Sequence, residues 1–272
     1  MKDVLAEIVQ HTRGVVEAAR GRVPDEDIQR RAHDAEPPRN FFAALTRPAK
    51  TLRVIAEVKR ASPSAGLIRP DFDPVEIARA YAENGAAAIS CLTDEKYFGG
   101  DLAYLQQIKD TVRLPVLRKD FIVDPYQVYE ARAAGADAIL LIAECLGEPQ
   151  MIDLMILATE LRMTVLLEVH SLESLIQVKP HLGFPHPAYQ LLGINNRNLK
   201  TMHTDVQHTL NLLGEVPNRE VLVSESGITT HDDTQTLQRH SVHRVLVGEH
   251  LMRQPDVGLA LRELIHGESS TP

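Results

Sequence analysis

The chain contains no tryptophan, and only 4% of its 272 residues are aromatic. Little is therefore available to build a stacking platform for nucleic-acid bases. A formal net charge of -8 points the same way, because a phosphate backbone attracts basic surfaces. Nucleic acid is not an expected partner. An acidic chain still binds an anion wherever the local groups suit it. The two cysteines, Cys91 and Cys145, make no disulfide framework, and each follows an apolar run. Buried, reduced thiols in a cytoplasmic protein are the expectation. No apolar run reaches the roughly 20 residues needed to span a bilayer. The opening Met1-Lys2-Asp3-Val4-Leu5-Ala6-Glu7 carries early charges and is not expected to act as a signal peptide or to bind a membrane. The 12 histidines are scattered, with no H-E-x-x-H and no Cys/His pairs at ligand spacing, so no metal site is expected.

What is present is a rhythm. Short apolar runs recur with helix-length segments between them: Arg53–Val58, Ala86–Leu92, Leu114–Leu117, Ala138–Ile142, Thr164–Leu167, Gln190–Ile194, Glu220–Val223 and His243–Val247. Continuous apolar runs suit parallel strands buried on both faces. Helix starts support βαβ units. Asp73-Pro74-Val75-Glu76 and Asp124-Pro125-Tyr126-Gln127 each pair an N-cap Asp with Pro at the first helical position. Both helices lead to a matching exit, Gly85-Ala86-Ala87-Ala88-Ile89 and Gly135-Ala136-Asp137-Ala138-Ile139. Eight such units predict an α/β fold of the (β/α)8 TIM-barrel type. The competing doubly wound sheet usually opens on G-x-G-x-x-G, which is absent, and no cofactor is expected. Residues 1–50 precede the first run. Leu5, Ile8, Val9, Val15, Val16 and Ala19 fit one helical stripe, and Phe41, Phe42 and Leu45 form another apolar patch. The expected organisation is one domain: an N-terminal helical extension over 1–50 packed on a barrel over 51–267, then a frayed tail over 268–272.

The ends of the runs carry the chemistry. Ala56-Glu57-Val58-Lys59-Arg60-Ala61-Ser62-Pro63-Ser64 sets a Glu and a Lys two apart, and so on one face of a strand, before a Ser/Pro loop. A surface ion pair and a proton-transfer pair both fit that spacing. Later run ends add Lys119, Glu144, Glu168, His170, Asn195, Arg197 and Glu225. In a barrel these ends converge on one face, where active sites lie. Ser226-Gly227 and Gly248-Glu249 place small residues in the two loops that often hold phosphate in this fold; ordinary turn glycines are the alternative.

The motifs also carry a resemblance. Ile55-Ala56-Glu57-Val58-Lys59-Arg60-Ala61-Ser62-Pro63-Ser64, Leu92-Thr93-Asp94-Glu95-Lys96-Tyr97-Phe98, Leu117-Arg118-Lys119-Asp120-Phe121-Ile122, Leu167-Glu168-Val169-His170, Gly193-Ile194-Asn195-Asn196-Arg197-Asn198-Leu199 and Ser224-Glu225-Ser226-Gly227-Ile228 resemble, in order, the indole-3-glycerol phosphate synthase family of tryptophan biosynthesis. The resemblance implies a phosphorylated small-molecule substrate, 1-(2-carboxyphenylamino)-1-deoxyribulose 5-phosphate. It closes to indole-3-glycerol phosphate with loss of carbon dioxide and water. The resemblance also implies residue roles. Lys119 is a general acid, Lys59 and Glu168 share later proton transfers, and Glu57 stands beside them. Asn195 holds Glu168 or a substrate hydroxyl. Arg197 forks onto the substrate carboxylate, Ser226 meets the sugar chain, and Ser62, Gly227 and Gly248 cradle phosphate. Phe98, Phe121, Leu140 and Leu199 line an aryl pocket. Two places depart from the pattern: Ala65 stands where many relatives have Lys, and Glu249-His250 where many have small hydroxyl residues. A phosphate site there requires the Glu249 carboxylate to turn away.

Two other readings stay open. Lys119 also suits a Schiff-base aldolase on a phosphosugar, and a non-catalytic barrel could retain the phosphate site. A monomer is expected.

Overall fold

The computed structural model describes residues 4–197 and 203–267; the expected frayed tail over 268–272 and Leu199 lie outside them. Eight parallel strands close into a barrel: β1 Arg53–Val58, β2 Ala88–Leu92, β3 Val116–Lys119, β4 Ala138–Ile142, β5 Thr164–Val169, β6 Gln190–Asn195, β7 Leu222–Glu225 and β8 Arg244–Val247. Neighbours in the barrel are neighbours in sequence, and β1 closes the ring by pairing with both β2 and β8. The expected helix starts form as read. The Asp73 carboxylate accepts from the N–H groups of Val75 and Glu76, and Asp124 accepts from Tyr126 N–H. The paired exits at Gly85 and Gly135 have φ of 98° and 90°, which a side chain rarely adopts.

Several strands run further than the apolar runs predict. Lys119, Glu168, Asn195 and Glu225 belong to β3, β5, β6 and β7, although each lies one or two residues beyond the end of an apolar run. The backbone ladder continues through them into the barrel mouth.

The N-terminal segment forms three helices: α1 Val4–Arg22, α2 Asp25–Asp34 and α3 Phe41–Thr46. Ile8, Val16 and Ala19 of the α1 stripe are buried, whereas Val15, one residue off that line, is 48% exposed. α3 is a stopper. Phe41 and Leu45 are fully buried in the cluster that fills the barrel interior with Ile55, Leu117, Leu166, Leu191, Val223 and Leu246. The Arg244 guanidinium of β8 donates to the Leu45 carbonyl at 3.1 Å. Just before β4, Asp137 is fully buried and accepts from Lys109 Nζ and the Arg39 N–H, both at 2.6 Å. Arg39 in turn donates to the carbonyls of Lys109, Val112 and Leu114. The two thiols differ: Cys91 is buried, with burial pushing its pKa up, while Cys145 is half-buried. No helix among the described residues is long and apolar enough to cross a membrane.

Candidate active site

Strand alternation builds the site. Residues two apart face the same side, and the barrel's inner apolar layer includes Ile55, Leu117, Leu166, Leu191, Val223 and Leu246. Two residues further on stand Glu57, Lys119, Glu168, Gly193, Glu225 and Gly248. A charged ring therefore rests on an apolar floor. Its two glycines make room for its acids. A Cβ on Gly248 would collide with Glu57 Oε1, and one on Gly193 would collide with Glu225 Oε1.

The ring is paired internally. Lys59 Nζ donates to Glu57 Oε1 at 2.6 Å, with both side chains at least nine-tenths buried. Ser90 Oγ donates to the second Glu57 oxygen at 3.4 Å. Across the mouth, Lys119 Nζ lies 3.3 Å from Glu168 Oε2, and His170 Nε2 lies 3.3 Å from Glu168 Oε1. Lys119 points inward because its neighbour Arg118 points outward, where it pairs with Asp120 and Glu130.

These contacts fix the charges. Burial opposes ionisation of Glu57, but the ammonium groups of Lys59 and Lys119 outweigh it and hold the carboxyl below its ordinary range. Burial likewise opposes ionisation of Glu168, and Lys119 and His170 overcome it. Glu225 goes the other way. Burial and the neighbouring Glu168 charge push its carboxyl well above the usual range. Two facing acids thus keep one proton, on Glu225. Lys119 is held protonated: burial alone would lower its pKa, and the Glu168 and Glu57 carboxylates raise it instead.

Above the ring opens a cavity of about 560 Å³, a size that suits a small phosphorylated metabolite. Glu57, Lys59, Lys119, Glu168, Asn195, Phe98, Phe121, Leu140, Arg197, Ser226, Gly227, Gly248 and Glu249 all line it. Leu5 and Ile8 of α1 cover it, and Tyr97 donates to Glu7 at 3.3 Å to hold that helix over the mouth. The Phe98 and Phe121 rings lie 6.2 Å apart on one wall. Gly227 has a φ of 77°, and a Cβ there would come within 2.6 Å of the Thr204 methyl.

Three expected contacts look different in detail. Ser62 is buried beneath its own hairpin, where its hydroxyl accepts from Ala65 N–H, and Ser64 faces the cavity instead. Asn195 accepts from the Arg197 N–H at 3.0 Å rather than meeting Glu168. Glu249 does not turn away. Its carboxylate bridges Arg197 at 3.1 Å and Arg253 at 2.9 Å; burial opposes ionisation, but these partners keep it ionised. Sequence reasoning named no role for Glu225 or His170, although both follow inward positions at spacing two, after Val223 and after Leu166 and Glu168. Among the described residues, no group of three or more His, Cys, Asp or Glu is placed to hold a metal ion.

Known proteins resemble this chain at two depths. In overall fold it is similar to 3-hexulose-6-phosphate synthase from Salmonella typhimurium, with a TM-score of 0.61, 11% identity, and coverage of 79% of this chain and 97% of that one. It is also similar to thiamine phosphate pyrophosphorylase from Pyrococcus furiosus, with a TM-score of 0.54, 18% identity, and coverage of 78% and 93%. At such identities the likeness is one of fold. In sequence it is 47% identical over 262 residues to an indole-3-glycerol phosphate synthase of Rhodopirellula baltica, covering 96% of this chain and 98% of that one. It is 48% identical over 267 residues to the Rhodospirillum rubrum protein of the same name, covering 97% and 100%. The family model for indole-3-glycerol phosphate synthase matches residues 5–264, and the chain belongs to that family.

Proposed function

We propose that the cavity converts 1-(2-carboxyphenylamino)-1-deoxyribulose 5-phosphate to indole-3-glycerol phosphate. The observation that carries this reading is a protonated lysine 3.3 Å from an ionised glutamate, at the floor of a cavity with an aromatic wall. Ring closure needs both. The aryl carbon bearing the carboxylate attacks the ribulose carbonyl carbon, and Lys119 gives its proton to the carbonyl oxygen. Carbon dioxide leaves, and the electrons of the broken bond restore the aromatic ring. The new hydroxyl then departs as water, protonated by Lys59, while Glu168 removes a proton from the adjacent methylene. Two protons are given and one is taken, which balances the loss of a carboxylate as neutral carbon dioxide. Glu57 holds the Lys59 side chain in place.

Arg197 binds the substrate carboxylate by exchanging Glu249 for it, so the ion pair across the mouth marks the place of an anion. Asn195 and Ser226 meet the sugar hydroxyls. The Gly227 and Gly248 backbones, with the Ser64 hydroxyl, hold phosphate. The protein acts as a cytoplasmic monomer without metal or cofactor. A Schiff-base aldolase needs a neutral lysine, and the environment of Lys119 favours the charged form.

The test is direct. The substrate is added and indole emission followed, against the low background of a protein without tryptophan. Turnover supports the reaction. A protein that binds a product analogue without turnover is a binding barrel, and the proposal fails.

A further inference from the structure

His170 lies outside the reaction just described, yet its imidazole is held on two sides at the mouth. Its side chain is 7% exposed and sits between two carboxylates. Nδ1 faces Glu144 Oε2 at 3.2 Å, and Nε2 faces Glu168 Oε1 at 3.3 Å. Glu144 grips the residue twice, since its other oxygen accepts the His170 backbone N–H at 2.8 Å. That carboxylate is delivered by the short turn Ala143–Cys145 that follows β4. His208 Nε2 meets the His170 carbonyl at 3.1 Å from the opposite side.

Chemistry then assigns the ring's protons. An ionised carboxylate only accepts hydrogen bonds, and a neutral imidazole has a single N–H. A ring facing two ionised carboxylates satisfies both only as imidazolium. We infer that His170, clamped by Glu144, is a positioning residue that holds the Glu168 carboxylate in its working orientation, and that it does so only while doubly protonated. With Oε1 beside His170, Oε2 is left to face Lys119. The groups acting on the ring agree in sign. Burial and the Lys119 charge disfavour the imidazolium; Glu168 and Glu144 favour it and prevail, so the pKa lies above its ordinary value. Glu225, protonated, adds no further charge in its favour. As pH rises through that raised value, the ring loses one N–H, one carboxylate loses its partner, and Glu168 is freed to turn.

The inference rests on Glu168 serving as the base, so its test has one arm that needs no turnover. The ring nitrogens of His170 are titrated in the wild-type protein by long-range 1H–15N spectroscopy. Both ring nitrogens are expected to stay protonated to a higher pH than in a free histidine; loss of a ring proton at or below the free-histidine midpoint overturns the inference whatever the activity. The second arm measures kcat and KM against pH for wild type, E144Q, H170Q and H170L. E144Q is expected to move the alkaline limb of kcat about one unit lower, with KM within about twofold. H170Q, which donates one hydrogen bond at every pH, is expected to lose about tenfold in kcat together with that limb. H170L is expected to lose about 100-fold. Wild-type kcat in H170L, or an unshifted limb in E144Q, overturns the positioning role. An inactive wild type defeats the proposed reaction instead, and the titration still decides the state of His170.

Discussion

Gly193→Ala adds one methyl group to the barrel interior, and the structure says what it must displace. The added Cβ would collide with Glu225 Oε1 and lie 3.3 Å from both Glu225 Cδ and Leu166 Cδ1. Gly193 sits within β6 in ordinary strand backbone, so alanine strains nothing there. Restricting the unfolded chain by replacing glycine is worth about 0.4–1 kcal/mol in favour of the variant. Forcing a methyl into a packed interior costs about 1–3 kcal/mol. The net expectation is a loss of about 1–2 kcal/mol, or roughly 2–8 °C in Tm for a barrel of this size. The source of the loss is testable. Glu225→Ala removes the obstructing carboxyl, so Gly193→Ala in that background should cost about 0.5 kcal/mol or less. Four proteins, unfolded in urea at one pH, complete the double-mutant cycle. A coupling of about 1–2 kcal/mol is expected. Strictly additive effects would show that Gly193 is not there to make room for Glu225, and would refute the reading of the glycines in the charged ring.

Three further outcomes follow from the same geometry. Lys119→Met should fold and bind a product analogue yet lose about 10²-fold or more in kcat, and near-normal kcat would remove Lys119 as the acid. Asp137→Ala strands Lys109 at the barrel's closed end and should cost about 3–5 kcal/mol in urea unfolding; a loss under about 1 kcal/mol would mean water reaches the pair. Glu225 has a folded pKa raised well above the ordinary glutamate range, so its contribution to stability is present below that range and falls as pH rises. Glu225→Gln imitates the protonated acid and escapes that fall. Its Tm advantage over wild type should be nil near pH 4.5 and widen toward pH 8; a gap independent of pH would contradict a shared proton.

The architecture was legible because burial on both faces leaves a blunt signature in sequence, and β1 and β4 match their apolar runs residue for residue. The ends of other strands were harder. Polar residues just past a run read as the start of a loop, so the apolar runs stop short of Glu168 and Glu225, which the strands include. Alternation repairs this: once Leu166 is known to face inward, Glu168 and His170 follow by parity, and Val223 leads to Glu225. What parity cannot supply is the partner across the barrel. The His170–Glu144 contact joins turns 26 residues apart, and nothing near either residue announces it. Ser62 shows the converse. Its motif matched, but a tight hairpin hydrogen bond to Ala65 turns the hydroxyl inward and brings Ser64 to the cavity.

The α3 stopper bears on how the chain can be made. Phe41 and Leu45 leave the ribosome before any barrel strand exists, yet their container is complete only when β8 pairs with β1. The contact from Arg244 to Leu45 spans 199 residues. Until nearly the last helix is synthesised, two bulky apolar side chains have no finished place to go. A nascent chain therefore carries its plug without a finished container through most of translation, and exposed apolar surface of that kind is what chaperones bind in general. By the same topology, a rearranged gene that begins at β1 and appends the N-terminal segment after residue 267 would deliver the plug to a barrel already closed.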